Sequence, residues 1–181
     1  MGYKRPVTSA IAAFRDAVPA DIPTLVTLVR TAYRGEVGWT TETALLDDER
    51  IDAPGVAEKI TNPQGAVLVA TDDTGEVIGC CELVDRGDGL AYFGMFAVDP
   101  TLQAAGLGRQ LLARAEQHAA TRWRTRTMEM TVIAQRPELI AWYVRRGYTV
   151  SDETRPFPYD HLVNGSALRD DLYFAVLTRA I

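Results

Sequence analysis

The stretch Phe96-Ala97-Val98-Asp99-Pro100-Thr101-Leu102-Gln103-Ala104-Ala105-Gly106-Leu107-Gly108-Arg109 decides how this chain is read. An apolar strand over 90–98 stops at Asp99-Pro100, because proline removes a ladder donor and constrains the residue before it. A short loop follows. Gly106 and Gly108 then open a helix over 106–120, on which Leu107, Leu111, Leu112, Ala115 and Ala119 share one face. The first N–H groups of a helix lack intrahelical acceptors and sit at the positive end of its dipole. Glycines let an anion approach them, so the segment is a candidate phosphate or pyrophosphate cradle. Two glycines alone would serve equally as a plain helix-start turn. The dinucleotide fingerprint fails, since Leu111 stands where a third Gly or Ala is needed. The P-loop, H-E-x-x-H, G-x-S-x-G and calcium-loop patterns are absent from the sequence.

Working outward, residues 12–17 form a short candidate strand. Asp21 stands where an N-cap belongs, and Ile22, Leu25, Val26, Leu28, Val29 and Tyr33 recur at helical spacing up to Gly35. A polar stretch over 36–52 carries Trp39, and a second short helix over 53–60 ends at Asn62-Pro63. Strands over 66–71, 77–84 and 90–98 are joined by Asp72-Asp73-Thr74-Gly75 and Arg86-Gly87-Asp88-Gly89 and read as an antiparallel meander. Downstream come a strand over 127–134 and a helix over 137–146, with Pro137 in its first turn and Gly147 just beyond it. A strand over 148–151, a turn-rich loop over 152–170 and a last strand over 172–177 complete the order. This order predicts an α+β fold: a mixed, mostly antiparallel sheet flanked by helices.

The 181 residues suit a single domain over 1–181. Hydrophobic residues at 47% and charged residues at 24% exclude a disordered, collagen-like or coiled-coil chain. Nineteen Lys and Arg against 24 Asp and Glu give −5, so there is no global pull on nucleic acid or anionic membrane. No apolar run approaches the roughly 20 residues that span a bilayer. The N-terminal stretch with Lys4 and Arg5 lacks the apolar core of a secretory signal. The two cysteines, Cys80 and Cys81, are strand neighbours that point to opposite faces and cannot bridge each other. Two distant histidines make no zinc set. The expectation is a soluble, reduced, cytoplasmic protein with no metal.

Gln103-x-x-Gly106-x-Gly108, after a strand ending in Val98-Asp99-Pro100, resembles the acyl-CoA signature of the GNAT N-acetyltransferase superfamily. Downstream, Ala141-Trp142-Tyr143-Val144-Arg145-Arg146-Gly147-Tyr148 resembles that family's helix motif A-x-Y-x-x-x-G-[FY]. The element order and the opening Phe14-Arg15-Asp16-Ala17 before Asp21-Ile22 match as well, so the resemblance covers nearly the whole chain. It implies a central parallel pair, strands 90–98 and 127–134, that splays to admit acetyl-CoA. The pantetheine arm would pair with the backbone of Phe96, Ala97 and Val98. The pyrophosphate would sit on the N–H groups of Gln103, Ala104, Ala105, Gly106, Leu107, Gly108 and Arg109. Arg136 departs from the pattern, where many members carry Asn. A homodimer is common for such a fold.

Within the resemblance Tyr143 is the general acid. A phenol aimed at the leaving sulfur supplies a proton as thiolate charge develops. The competing reading is an aromatic that only packs. The attacking amine must lose a proton, and Glu82 on the meander or Glu42 in the polar loop are the candidate bases, directly or through water. Glu82 reads equally as a strand-surface carboxylate. The Phe96 N–H is a candidate oxyanion donor. Tyr33, Trp39, Thr40 and Glu42, together with Arg155, Phe157, Tyr159 and His161 of the late loop, form the candidate acceptor mouth. Of these, Tyr33, Trp39, Glu42, Phe157 and Tyr159 are the expected acceptor contacts. Arg122, Arg124 and Arg126 read as a solvated cluster, with a patch for the CoA 3′-phosphate as the second option. The implied function is acetyl transfer from acetyl-CoA to a primary amine of a small molecule or peptide, in a ternary complex. The alternatives are a non-catalytic acyl-CoA-binding or sensing module and a plain interaction domain. The acceptor stays open, since fold analogy does not choose among amino acid, polyamine, antibiotic, small amine and protein N-terminus.

Overall fold

The computed structural model describes residues 11, 13–39 and 41–181. Lys4, Arg5, Ala12 and Thr40 lie outside the described residues. The elements run β1 (Ala13–Asp16), α1 (Ile22–Arg34), α2 (Ala53–Thr61), β2 (Gly65–Thr71), β3 (Val77–Gly87), β4 (Leu90–Val98), α3 (Leu107–Trp123), β5 (Thr127–Ile133), α4 (Pro137–Val144), β6 (Thr149–Pro156) and β7 (Tyr173–Ala180). Seven strands form one sheet in the order β1-β2-β3-β4-β5-β7-β6. Every neighbouring pair is antiparallel except β4 and β5. The expected mixed, mostly antiparallel architecture is what the chain adopts.

The sheet is buried on both faces, which explains why β2 reads as a continuous apolar run. Val67 and Val69 of β2 pack with Leu25, Val29 and Ala32 of α1 and Val56 of α2. Leu68 and Ala70 face the other way, toward Leu107, Leu111, Leu112 and Ala115 of α3. Each Val or Leu among these, fully buried, contributes roughly 1.5–3 kcal/mol. Cys80 and Cys81 fall on opposite faces, both buried and both free thiols. Burial pushes the Cys80 thiol up to about 12, so it packs as a small hydrophobe.

Several boundaries differ from expectation, each for a physical reason. Asp21 precedes α1, but its carboxylate does not cap the helix. It accepts from both Arg15 terminal nitrogens, at 2.7 and 2.9 Å, and from the Val18 N–H. The Arg15 pairing holds the Asp21 carboxyl below its ordinary range. Helix α3 continues to Trp123 and ends where Arg124 turns left-handed, with φ of 55°. Its 17 residues span roughly 25 Å, so Arg122 lies at the far end from Gly106, where it pairs loosely with Asp16 at 3.4 Å. Helix α4 stops two residues early, at Val144. Strand β6 is longer than the expected 148–151. It is an edge strand with almost wholly exposed residues, so its sequence carries no apolar alternation to mark it.

The polar loop over 36–52 and the loop over 157–172 are joined by backbone hydrogen bonds. Asp47 N–H donates to Ser166 O, Glu49 N–H to Val163 O, and Leu168 N–H to Leu45 O. Leu45, Leu46, Ile133, Phe157 and Leu172 form a separate small apolar cluster beneath them. The joined loops roof one end of the sheet. Among the described residues no helix is long and apolar enough to cross a membrane.

Candidate active site

The site begins where β4 and β5 part. They pair only at Leu90–Thr127, Ala91–Met128 and Tyr92–Glu129, and beyond that register β4 runs on to Val98 alone on that side. On its other side β4 carries a bulge. Gly94 pairs with Glu82 and Ala97 with Cys80, so Met95 and Phe96 together oppose Cys81. Met95 takes a positive φ of 43° to accommodate this. Bulges re-aim side chains and backbone groups, and this one lies at the mouth of the split. The Tyr33 hydroxyl of α1 donates to the Phe96 carbonyl at 2.5 Å and pins the bulge.

Two hollows lie on either side of Phe96, which lines both. The first is a groove of about 190 Å³ at the start of α3, walled by Trp39, Gln103, Gly106, Gly108, Trp142 and Arg146. Its two glycines do different work. Gly106 has a φ of 77° with open space where a Cβ would stand, so it supplies a left-handed helix start. A Cβ on Gly108 would meet Phe96 Cζ at 3.3 Å and Trp142 at 3.5 Å, so it supplies room. The Arg146 guanidinium lies 3.5 Å from the Trp142 ring centroid and donates through Nη1 to the Trp142 carbonyl. Its Nε is buried with no partner among the described residues. Burial, then the positive charges of Arg145 and Arg109, pull the Arg146 pKa below its ordinary value. An orphaned guanidinium N–H, crowded by like charge beside an open helix N-terminus, fits a bound pyrophosphate.

The second hollow encloses about 160 Å³ under the roof of the two loops. Tyr143 of α4 lines it, with Phe96 and Tyr92 from β4 and Phe157 and Phe174 from the late elements. Tyr143 is 4% exposed, and its ring packs edge-on to Trp142 at 5.0 Å and Tyr148 at 5.9 Å. Burial keeps its phenol well above its usual pKa, so the hydroxyl holds its proton. Burial likewise raises Tyr33, up to about 12.

Charged groups in this cavity form a chain. Glu42 is buried and accepts from Arg34 and from Arg136, each at 2.7 Å. The Asp48 carboxylate is paired with Arg34 and also accepts from the N–H groups of Arg50 and Val163. Arg50 holds its guanidinium over the Tyr33 ring, 4.9 Å from the centroid.

The structure brings Tyr33, Glu42, Phe157 and Tyr143 into this cavity, and His161 also lines it. Three expected placements are corrected. Trp39 lines the groove at the α3 start, where its N–H donates to Gln103 and its ring lies 6.2 Å from Trp142. Tyr159 stands behind the wall: its ring packs on Phe157 at 4.9 Å and its hydroxyl accepts from the Leu172 N–H. Glu82 is absent from the cavity lining, because its carboxylate is drawn to Lys59 of α2 at 2.8 Å. Asp48, Arg50 and Tyr92 were not singled out from the sequence. The only local signal for the first two was a density of charge after Trp39 in an otherwise polar stretch.

Residues 25–148 match the acetyltransferase (GNAT) family. No curated protein matches significantly. Among solved structures, spermidine N-acetyltransferase from Vibrio cholerae in complex with CoA and spermine superposes with a TM-score of 0.67 at 16% identity, over 93% of this chain and 94% of that one. A chimera of the Vibrio cholerae enzyme SpeG and hSSAT superposes with a TM-score of 0.68, also at 16% identity, over 93% and 94%. At such identities the likeness shows the shared fold.

Proposed function

The chain belongs to the acetyltransferase (GNAT) family, and from that membership we propose that it moves an acetyl group from acetyl-CoA to a primary amine by direct attack in a ternary complex. One observation carries the reading. Phe96 separates a groove suited to a pyrophosphate from a cavity that holds a protonated phenol. The donor supplies an acyl group already activated as a thioester.

The chain's own residues do the rest. The N–H groups from Gln103 to Arg109, with Arg146, hold the pyrophosphate. The unpaired edge of β4 at Phe96, Ala97 and Val98 pairs with the pantetheine arm as an added strand. The bulge presents the Phe96 N–H to the carbonyl oxygen on which negative charge develops. The acceptor reacts as its free amine: the N–C bond forms, the C–S bond breaks, and the electron pair leaves on sulfur. Tyr143 gives that sulfur its proton, and the proton lost by the amine nitrogen passes to solvent and restores the phenol. Glu42 is saturated by two arginines and Glu82 by Lys59, so neither is assigned as base.

Polyamine acetyltransferases share the fold, which is consistent with a small amine acceptor. CoA release from acetyl-CoA across a panel of primary amines tests the proposal. Release dependent on an amine supports it. Calorimetric binding of acetyl-CoA with no release for any amine would leave a binding module instead.

A further inference from the structure

The acceptor cavity carries more positive charge than it can pair internally. Arg34, Arg50 and Arg136 line it against two carboxylates, Glu42 and Asp48. Both Glu42 oxygens are engaged by arginines. Asp48 Oδ1 is engaged by Arg34, and Oδ2 by two backbone N–H groups. Arg50 is the cation left over: among the described residues no carboxylate lies within ion-pairing distance of its guanidinium, which stands over the Tyr33 ring and feels Glu42 and Asp48 only from farther off. It is held there at some cost, since its backbone takes a φ of 68°, rare for a side chain of this size. A half-buried guanidinium with five donors and no acceptor is a site waiting for one.

The position of this group adds a length. Tyr33 underlies Arg50 through its ring and touches the Phe96 carbonyl through its hydroxyl. The guanidinium therefore lies about one tyrosine side chain from the backbone at the split. The cavity is smaller than those that take drug-sized ligands. A polycation would meet neutralised carboxylates and a free positive charge.

We propose that the acceptor is a small amine that also carries an oxyanion, a carboxylate or its phosphonate equivalent, and that Arg50 binds that anion. This rests on the acetyl-transfer reading and gives it a substrate class. A fork of N–H donors grips the oxyanion bidentately, and the roofed cavity leaves the amine a short reach to the thioester carbon.

The test uses the whole chain with acetyl-CoA and four matched acceptors: an α-amino acid, its amide, its aminophosphonate analogue and spermidine. The anionic acceptors are expected to give kcat/KM at least about tenfold above the amide, the usual scale for a charged hydrogen bond. The better of the two identifies which oxyanion the site prefers. Arg50→Asn suits the left-handed backbone and is expected to erase that preference. Arg50→Lys is expected to restore part of it, having charge but no fork. A wild-type preference for the amide or spermidine overturns the proposal and leaves acetyl transfer standing. So does an Arg50→Asn loss of equal size on anionic and neutral acceptors. Should no amine release CoA, the transfer reading fails, and titration of an N-acetyl amino acid then decides the pocket alone. Binding to wild type that Arg50→Asn abolishes supports it; no binding to wild type overturns it.

Discussion

The groove at the α3 start and the roofed cavity meet at Phe96 but are built in opposite ways. The groove comes mostly from consecutive chain, Phe96 through Arg109, joined by Trp39, by Trp142 of α4 and by Arg146 just beyond it. It presents backbone N–H groups, glycine space and an orphaned guanidinium, all suited to one invariant anion. The cavity draws side chains from α1, the loop over 36–52, β4, β5, α4, the late loop and β7. Its charges are set by pairings that cross the sequence, such as Glu42 to Arg136. A cradle of backbone N–H groups can be written largely into one turn, whereas a cavity whose charges pair across the sequence has to be assembled from distant segments.

Four substitutions probe that division, from the largest expected effect to the smallest. Tyr143→Phe acts inside the cavity, beside the Phe96 wall that both hollows share. It should lower kcat by about 10²–10⁴, the range for general acid–base catalysis, with kcat/KM falling equally and acetyl-CoA affinity intact. Steady-state CoA release with a thermal melt checks this, and a drop under threefold in single turnover would remove the phenol from the chemistry. The pH profile sharpens it. Burial disfavours the phenolate, so the proton-donating form persists as pH rises, and wild-type kcat should show no loss from Tyr143 ionisation up to about pH 10.

Gly108→Glu acts first on the groove. It crowds Phe96 and Trp142 and sets a carboxylate against the pyrophosphate. Like-charge contact costing about 3 kcal/mol corresponds to a roughly hundredfold weaker acetyl-CoA binding. Calorimetry showing unchanged affinity in a folded variant would move the pyrophosphate elsewhere. Trp39→Ala removes an aromatic wall worth about 0.5–1.5 kcal/mol. The acetyl-CoA KM should rise roughly two- to twelvefold while the acceptor KM holds; the reverse pattern would return Trp39 to the acceptor side. Glu82→Gln should change turnover by less than about threefold, because the carboxylate is bound to Lys59 outside the cavity. A loss near a hundredfold would make it the base after all.

Local chemistry wrote the fold and the groove into the sequence. The apolar period of α1, the turns between β2, β3 and β4, and the Pro137 and Gly147 brackets of α4 each depend on near neighbours. Gly106 and Gly108 signal a helix start open to an anion for the same reason. Tertiary structure decided which side of Phe96 each remaining residue serves. Trp39 and Glu42 are three residues apart, yet one stands over the groove and the other lies buried between two arginines in the cavity. Tyr159 and Phe157 are two apart, and only the ring of Phe157 reaches the cavity. Arg50 looks like any loop arginine until Arg34 and Arg136 engage Glu42 and Asp48 and leave its guanidinium over Tyr33 without a direct ion pair. Spacing along a chain reports periodicity and backbone conformation. The direction of a loop side chain, and the partners that neutralise it, depend on segments a hundred residues away, through electrostatic and packing terms that a local pattern does not contain.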